Sequence, residues 1–143
     1  MRHPPGRVSL GTLVFLALIG GVIYAAVMFV PYYVDNMDVK EAVAVAHARA
    51  GQAQDPSLRQ VIRERTSQMG NHWEHDQYNR PVLKPGLGLT DAQILIERST
   101  VSDSVRIQVD YERQVRLKPT SRYHTLRFSV VKDGPPAGGG GRL

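Results

Sequence analysis

The apolar residues of this chain are concentrated near its N-terminus. No charged side chain occurs between Arg7 and Asp35, and the segment between them is dominated by Leu, Ile, Val, Phe and Ala. An amphipathic surface helix carries charged residues on its solvent face, so this pattern excludes one. A run of this length and composition predicts a transmembrane helix over residues 8–34.

The helical pattern continues beyond this run and then restarts. We expect the first helix to reach about Ala50 and to stop at Gly51, because apolar residues recur at helical spacing: Val39, Ala42, Val43 and Ala46. Asp55 and Pro56 then supply an N-cap and a first helical residue. The stripe that follows predicts a second helix over residues 56–69, and it comprises Leu58, Val61, Ile62, Arg65 and Met69.

Residues 70–89 sustain neither the helical nor the strand period. They contain several Gly, Pro and Asn residues, which predicts loop or weak extended structure. About 20 residues without regular structure is long for a small domain. We therefore expect either a short hidden element or an Ω-type loop that packs by its own side chains.

Beyond residue 90 the period of the apolar positions changes to two. The alternation is clearest at Val105, Ile107, Val109 and Tyr111. Flanking strands are marked by Ile94, Ile96, Leu126, Phe128 and Val130. Short links between consecutive strands favour an antiparallel meander, which must bury one face. The predicted fold class is α+β: a long N-terminal transmembrane helix that continues outward, a second short helix, and a three-stranded antiparallel meander packed on the helices.

Four segments follow from these patterns. They are a cytoplasmic N-terminus (1–7), the transmembrane helix (8–34), an α+β extracytoplasmic domain (35–132) and a disordered Gly/Pro-rich tail (133–143). Arg2 and Arg7 precede the apolar run, so the positive-inside rule places the N-terminus in the cytoplasm. The expected location is the bacterial inner membrane, crossed once, with the C-terminal domain in the periplasm. A cleaved signal peptide is the alternative, but its apolar region is usually about 7–15 residues, shorter than this run, and no A-x-A pattern closes the run.

The predicted membrane helix carries two features that suit a bilayer. Aromatic residues that could anchor it at the membrane interface are Tyr24, Tyr32 and Tyr33. Small residues recur every fourth position and therefore share one face, namely Ala17, Gly21 and Ala25. This small-xxx-small pattern predicts close packing against another membrane helix, although small residues are also simply common in such helices.

The composition of the chain excludes several kinds of chemistry, and one segment is rich in basic residues. The chain has 18 Lys and Arg against 13 Asp and Glu, and no Cys, which excludes disulfides and thiol chemistry. No acid occurs from residue 113 to residue 127, where the basic residues are Arg113, Arg116, Lys118, Arg122 and Arg127. This patch predicts contact with anionic headgroups, a cell-wall polymer or an acidic partner. A solvated sheet edge explains the same residues, and the outward topology removes nucleic acid as a routine partner.

The sequence offers little catalytic chemistry. His72, Glu74, His75 and Asp76 are its densest group of metal-ligand types, and a zinc-dependent hydrolase using His72 and His75 is one hypothesis. The two His are three apart and no helix is indicated there, so a solvated surface cluster is favoured. No G-x-S-x-G elbow or S-x-x-K element occurs. We therefore expect no enzyme and no metal or other cofactor, and the sequence identifies no small-molecule substrate.

The order of these parts resembles an uncharacterised bacterial family of single-pass membrane proteins with a small α+β extracytoplasmic domain. The resembling segments are Pro31-Tyr32-Tyr33, Val39-Lys40-Glu41-Ala42, Ile62-Arg63 and Val109-Asp110-Tyr111-Glu112. The chain is more loosely similar to type IV pilin-like subunits, in which a long helix precedes an antiparallel sheet. Pilin leaders end in Gly before an aromatic residue, whereas here Gly6 precedes Arg7 and Gly11 precedes Thr12.

Two hypotheses of function follow. The first is a non-enzymatic, single-pass envelope protein whose outer domain binds another envelope protein, or which assembles with itself through the helix. The second is a pilin-like filament subunit, which implies N-terminal processing.

Overall fold

In a computed structural model of the chain, residues 9–118, 120 and 122–137 are described. Their elements in chain order are α1 (Leu10–Arg49), α2 (Asp55–Thr66), β1 (Asn71–His75), β2 (Pro81–Pro85), a 3-10 turn (Asp91–Gln93), β3 (Ile94–Ser99), β4 (Ser104–Leu117) and β5 (Arg122–Gly134). The predicted α+β class, second helix and three-stranded antiparallel sheet are confirmed.

The chain divides into two compact units, Met1–Pro31 and Tyr32–Leu143. The described part of the first unit is the apolar portion of α1, most of whose large side chains are exposed, with Val22 at 70% and Val27 at 71%. The most apolar window of α1 has a mean hydropathy of 2.7, and none of it is buried. By length and composition α1 is therefore a candidate membrane span. Pro31 lies inside α1 without ending it.

The second unit is built on a sheet in the order β3-β4-β5, with both pairs antiparallel. Ile94 lies opposite Val109 in one pair, and Val109 lies opposite Val130 in the other. Side chains of β4 alternate between a buried inner face and an exposed outer face along nearly its whole length. The inner face contributes seven buried apolar residues: Ile94, Val105, Ile107, Val109, Tyr111, Val115 and Val130.

The C-terminal part of α1 and the apolar face of α2 cover this inner face. Their fully buried residues are Val39, Ala42, Val43, Ala46, Leu58 and Ile62. His47 is also buried, and its Nε2 atom lies 3.0 Å from the carbonyl oxygen of Val105 and 3.1 Å from that of Gly134. Because carbonyl oxygens only accept hydrogen bonds, Nε2 carries the hydrogen, and α1 is thereby joined to the first residues of β4 and the last of β5.

A side chain of β3 stabilises the connection between α1 and α2. The Arg98 guanidinium donates hydrogen bonds to the carbonyl oxygens of Ala50 and Ala53 and to the Asp55 carboxylate, 2.7 Å away. Gly51, the expected helix stop, is not among the residues with a left-handed backbone. Instead, α1 ends at Arg49, whose carbonyl oxygen accepts from the next turn.

The segment without a sustained period contains a hidden hairpin. β1 and β2 pair antiparallel, with Trp73 opposite Leu83, and Asn79 at φ 59° lies in the turn between them. Most of the hairpin's side chains are exposed on both faces. The apolar alternation that marks a half-buried strand is therefore missing, which is why the pattern did not predict strands here.

Other boundaries differ by a few residues from the sequence-based prediction. α2 begins at Asp55, after an N-cap at Gln54, and ends at Thr66 instead of residue 69. β5 runs through Gly134 and Pro136 is buried, so the first part of the predicted disordered tail is structured. Residues 138–143 of that tail, and the predicted cytoplasmic N-terminus, lie outside the described residues.

Candidate functional site

A largely buried ion pair lies where the chain enters the second unit. Arg113, on the inner face of β4, places Nη1 3.2 Å from Oδ2 of Asp35 on α1. The side chains are only 9% and 21% exposed. The Arg113 guanidinium also lies 5.2 Å from the ring centre of Tyr32, within cation-π range. We call these three residues the entry cluster.

Aromatic contacts surround the entry cluster. The Phe128 ring stacks on Tyr111 at 5.3 Å between centroids and meets the edge of Tyr33 at 5.7 Å. The Tyr111 hydroxyl donates a 3.1 Å hydrogen bond to Oδ1 of Asn36, and burial raises the pKa of that hydroxyl. Two of the predicted interfacial anchors, Tyr32 and Tyr33, thus contact side chains of the sheet.

Gly70 approaches the entry cluster from the segment between α2 and β1. Its backbone is left-handed, with φ at 60°. A Cβ atom at this position would lie 2.6 Å from Oδ2 of Asp35 and 2.7 Å from Nη1 of Arg113. Only glycine therefore combines this backbone conformation with an intact ion pair.

Gly70→Ala is expected to lower the free energy of unfolding of the second unit by more than about 1 kcal/mol, since it adds backbone strain and displaces a buried ion pair. Urea titration of the full-length chain in detergent micelles, followed by Trp73 fluorescence, measures this change. The matched control is Gly51→Ala, whose new Cβ would meet Pro136 at an ordinary 3.5 Å. Equal stability of the two variants would contradict the close approach at Gly70.

The structure separates the predicted basic patch into three parts. Arg113 is buried in the entry cluster, and Arg127 lies on the outer face with Nε 2.6 Å from Oε1 of Glu112. Arg116, Lys118 and Arg122 are exposed around the turn that joins β4 to β5. Strand alternation puts Arg113 and Arg122 on one face of the sheet and Arg116 and Arg127 on the other. The five bases do not form one continuous surface.

The residues grouped as metal-ligand types lie in or beside the β1–β2 hairpin, where most of them make hydrogen bonds and ion pairs with neighbouring groups. Nδ1 of His72 lies 2.8 Å from the carbonyl oxygen of Gly86, and Nε2 lies 3.7 Å from Oε2 of Glu74. Lys84 lies 2.7 Å from Glu74 and holds the pKa of that carboxyl below its usual value. The pKa of Asp76 is lowered by hydrogen bonds, first of all from the Arg80 backbone N–H. Among the residues described, no three His, Cys, Asp or Glu side chains are grouped to hold a metal ion.

Two shallow depressions lie beside β4. One of about 380 Å³ lies over the outer face, near Asp110, Arg127 and Ser129. There the Asp110 carboxylate accepts hydrogen bonds from Ser129 at 2.5 Å and Gln108 at 2.6 Å, which lower its pKa. The other, of about 270 Å³, lies between β1 and residues 112–114 of β4.

The residues predicted to pack against another membrane helix are on α1 in the first unit. Ala17, Gly21 and Ala25 are exposed, and Tyr24 is 44% exposed. Nothing among the described residues lies within 4 Å of a Cβ built on Gly21. The small-residue face is thus open for packing, and whether another helix occupies it stays a prediction.

Comparison with protein-family models, with curated proteins and with solved structures gives no match.

Sequence reasoning missed the entry cluster as a unit. Asp35 was visible only as the first acid after the apolar run, and Arg113 was grouped with the other bases. The alternation of β4 does carry a signal, because Arg113 occupies an inward position between Tyr111 and Val115. A base on the apolar face of a strand indicates a buried partner.

Proposed function

We propose that the protein is a non-enzymatic, single-pass envelope protein, anchored by α1, whose C-terminal unit is an interaction or assembly module. The observation that carries this proposal is the contrast within α1. Its apolar portion exposes most of its large side chains, whereas Val39, Val43 and Ala46 are completely buried in the second unit. Exposed Leu, Ile and Phe over this length are stable in a bilayer and costly in water.

The proposed location is the bacterial inner membrane, with the N-terminus in the cytoplasm and the second unit in the periplasm. It rests on the basic residues Arg2 and Arg7 before the apolar run and on the acids that follow it. The proposed partner is another envelope protein, or a second copy that packs through Ala17, Gly21 and Ala25.

Expression in a bacterium, followed by membrane fractionation and intact mass, tests the anchor. We expect an unshortened chain in the membrane pellet, with its C-terminal unit digested when protease is added to spheroplasts. Leu16→Lys combined with Ile19→Lys is expected to release the chain from the membrane, because each charge at a helix centre costs about 2.5–3.5 kcal/mol of insertion.

The matched control is Leu83→Lys combined with Val101→Lys. Both side chains are exposed apolar residues of the second unit, at 50% and 97%. This control should stay in the membrane pellet. Recovery of the unaltered chain in the soluble fraction would refute the anchor, and protection of the C-terminal unit in spheroplasts would refute the orientation.

A pilin-like filament subunit is the second candidate. The observation in its favour is that one long helix, α1, exposes its N-terminal portion and buries its C-terminal portion against an antiparallel sheet. This candidate requires an N-terminal cut before the apolar run and self-association through α1. The same intact-mass measurement decides between the two, since the anchored module keeps its N-terminus.

A further inference from the structure

A groove separates the two sheets of the second unit because β3 is shorter than β4. β3 pairs with β4 only as far as Val109, whereas β5 pairs with β4 through Leu117. Among the residues described, positions 112–114 of β4 therefore have a paired strand on one side only. β1, from the other sheet, lies across a space of about 270 Å³ from them. We call this space the β1–β4 groove.

The groove follows the open edge of β4. It is lined by the inward side chain Arg113 and by the outward side chains Glu112 and Gln114, so it does not belong to one face of the sheet. Alternate backbone N–H and C=O groups of this edge point away from β5. They are available to hydrogen-bond a bound molecule.

The opposite wall of the groove carries an aromatic ring. Asn71, Trp73 and His75 are alternate residues of β1, so they share one face of the hairpin, and all three line the groove. Trp73 is the one tryptophan of the chain and is 48% exposed. Its ring offers a flat apolar surface to a ligand.

The charged side chains that line the groove already have partners. Glu112 pairs with Arg127, and Arg113 pairs with Asp35. A charged ligand would have to compete with these ion pairs. The groove therefore favours an uncharged molecule that hydrogen-bonds through neutral groups.

Two amide side chains supply such neutral groups. Asn71 on β1 and Gln114 on β4 are both exposed and line opposite walls of the groove. Each amide has two N–H donors and one carbonyl acceptor, so each can bind a hydroxyl group in either direction.

The size of the groove limits what it can hold. Its volume is smaller than the roughly 300–1,000 Å³ of pockets for drug-sized ligands. It contacts only three consecutive residues of β4, about 10 Å of strand, whereas strands usually have about 5–6 residues. A ring-sized molecule fits this space better than an added peptide strand.

From these observations we propose that the β1–β4 groove binds a sugar ring of a glycan. A pyranose has an apolar C–H face, which packs on the Trp73 ring, and a rim of hydroxyl groups, which hydrogen-bond the amides of Asn71 and Gln114. The inference goes beyond the proposed anchor and does not depend on it, because every residue of the groove lies in the second unit.

The single tryptophan allows a direct test with the full-length chain. The protein is held in micelles of lauryldimethylamine oxide, a detergent without a sugar headgroup, and titrated with chitotriose, cellotriose or maltotriose. We expect a saturable change in Trp73 emission with at least one of them, because all three present a pyranose C–H face. Glycerol at the same hydroxyl concentration has no ring and should give no saturable change.

Variants with matched controls locate the binding, measured by isothermal titration calorimetry with the trisaccharide that responds. Trp73→Ala should weaken binding about ten-fold or more, since the apolar contact is lost, and Trp73→Phe should weaken it less, because a flat ring remains. The control is Tyr78→Ala, an exposed aromatic residue in the turn of the same hairpin but outside the groove, which should leave the affinity unchanged. Unchanged far-UV circular dichroism confirms that the variants stay folded.

The amide contribution has its own pair of variants. Gln114→Ala should weaken binding about five-fold through the loss of a hydrogen bond. Gln52→Ala removes an exposed amide between α1 and α2 and should have no effect.

No saturable response to any of the three trisaccharides would overturn the sugar site. Equal affinities of Trp73→Ala and Tyr78→Ala would overturn it as well, because the sugar would then bind elsewhere. Either failure leaves the fractionation test of the anchor unaffected, so failure of this inference and failure of the proposed function are distinguishable.

Discussion

Val109→Asp is expected to unfold the C-terminal unit, with a loss of about 4 kcal/mol or more in the free energy of unfolding. Val109 is completely buried at the centre of the sheet, paired with Ile94 on β3 and Val130 on β5. A carboxylate there loses its hydration and gains no partner, and its protonated form still leaves polar atoms in an apolar core.

The matched control for Val109→Asp is its neighbour, Asp110→Asn. Asp110 lies on the outer face, and its carboxylate accepts hydrogen bonds from Gln108 and Ser129. An amide oxygen can still accept one of them, so we expect a loss of about 1 kcal/mol or less. Urea titrations of both full-length variants in micelles, followed by Trp73 fluorescence, measure the difference. Similar midpoints for the two would contradict the assignment of inner and outer faces on β4.

The second large effect is expected at the entry cluster. Arg113→Ala leaves the Asp35 carboxylate poorly solvated and without its cation, and it removes the contact with the Tyr32 ring. Breaking a buried ion pair from one side costs about 3–5 kcal/mol, and the partial exposure of Asp35 reduces this to about 2–4 kcal/mol here. The same urea titration measures it.

Arg127→Ala is the control for Arg113→Ala, because it also removes an arginine from a carboxylate. Its pair with Glu112 is exposed, at 84% and 56%, so the expected loss is below about 1 kcal/mol. The double variant Asp35→Asn, Arg113→Met should recover much of the stability lost in Arg113→Ala, because no buried charge is left unpaired. A double variant no more stable than Arg113→Ala would show that the pair is not what stabilises this end of the unit.

Short-range sequence patterns were sufficient to predict the helices and strands that bury one face. The alternation around Val109 predicted β4 because the pleat of a strand sends successive side chains to opposite faces. The spacing of Val39, Val43 and Ala46 predicted the continuation of α1, since those residues share one helix face. The exposed β1–β2 hairpin has no buried face, so the same reasoning could not find it.

The sequence by itself determined the apolar run of α1, the α+β class and the antiparallel meander, because these depend on the period of apolar residues along neighbouring positions. Only the tertiary structure decided which bases of the basic segment are buried, which are paired and which are exposed. Arg113 became a buried partner of Asp35, and Arg127 became an exposed partner of Glu112. Arg116, Lys118 and Arg122 remained exposed around the β4–β5 turn. Which charges pair depends on strand register and on contacts between residues that are far apart in the chain, such as Asp35 and Arg113. No local pattern in one sequence encodes which distant residues come into contact.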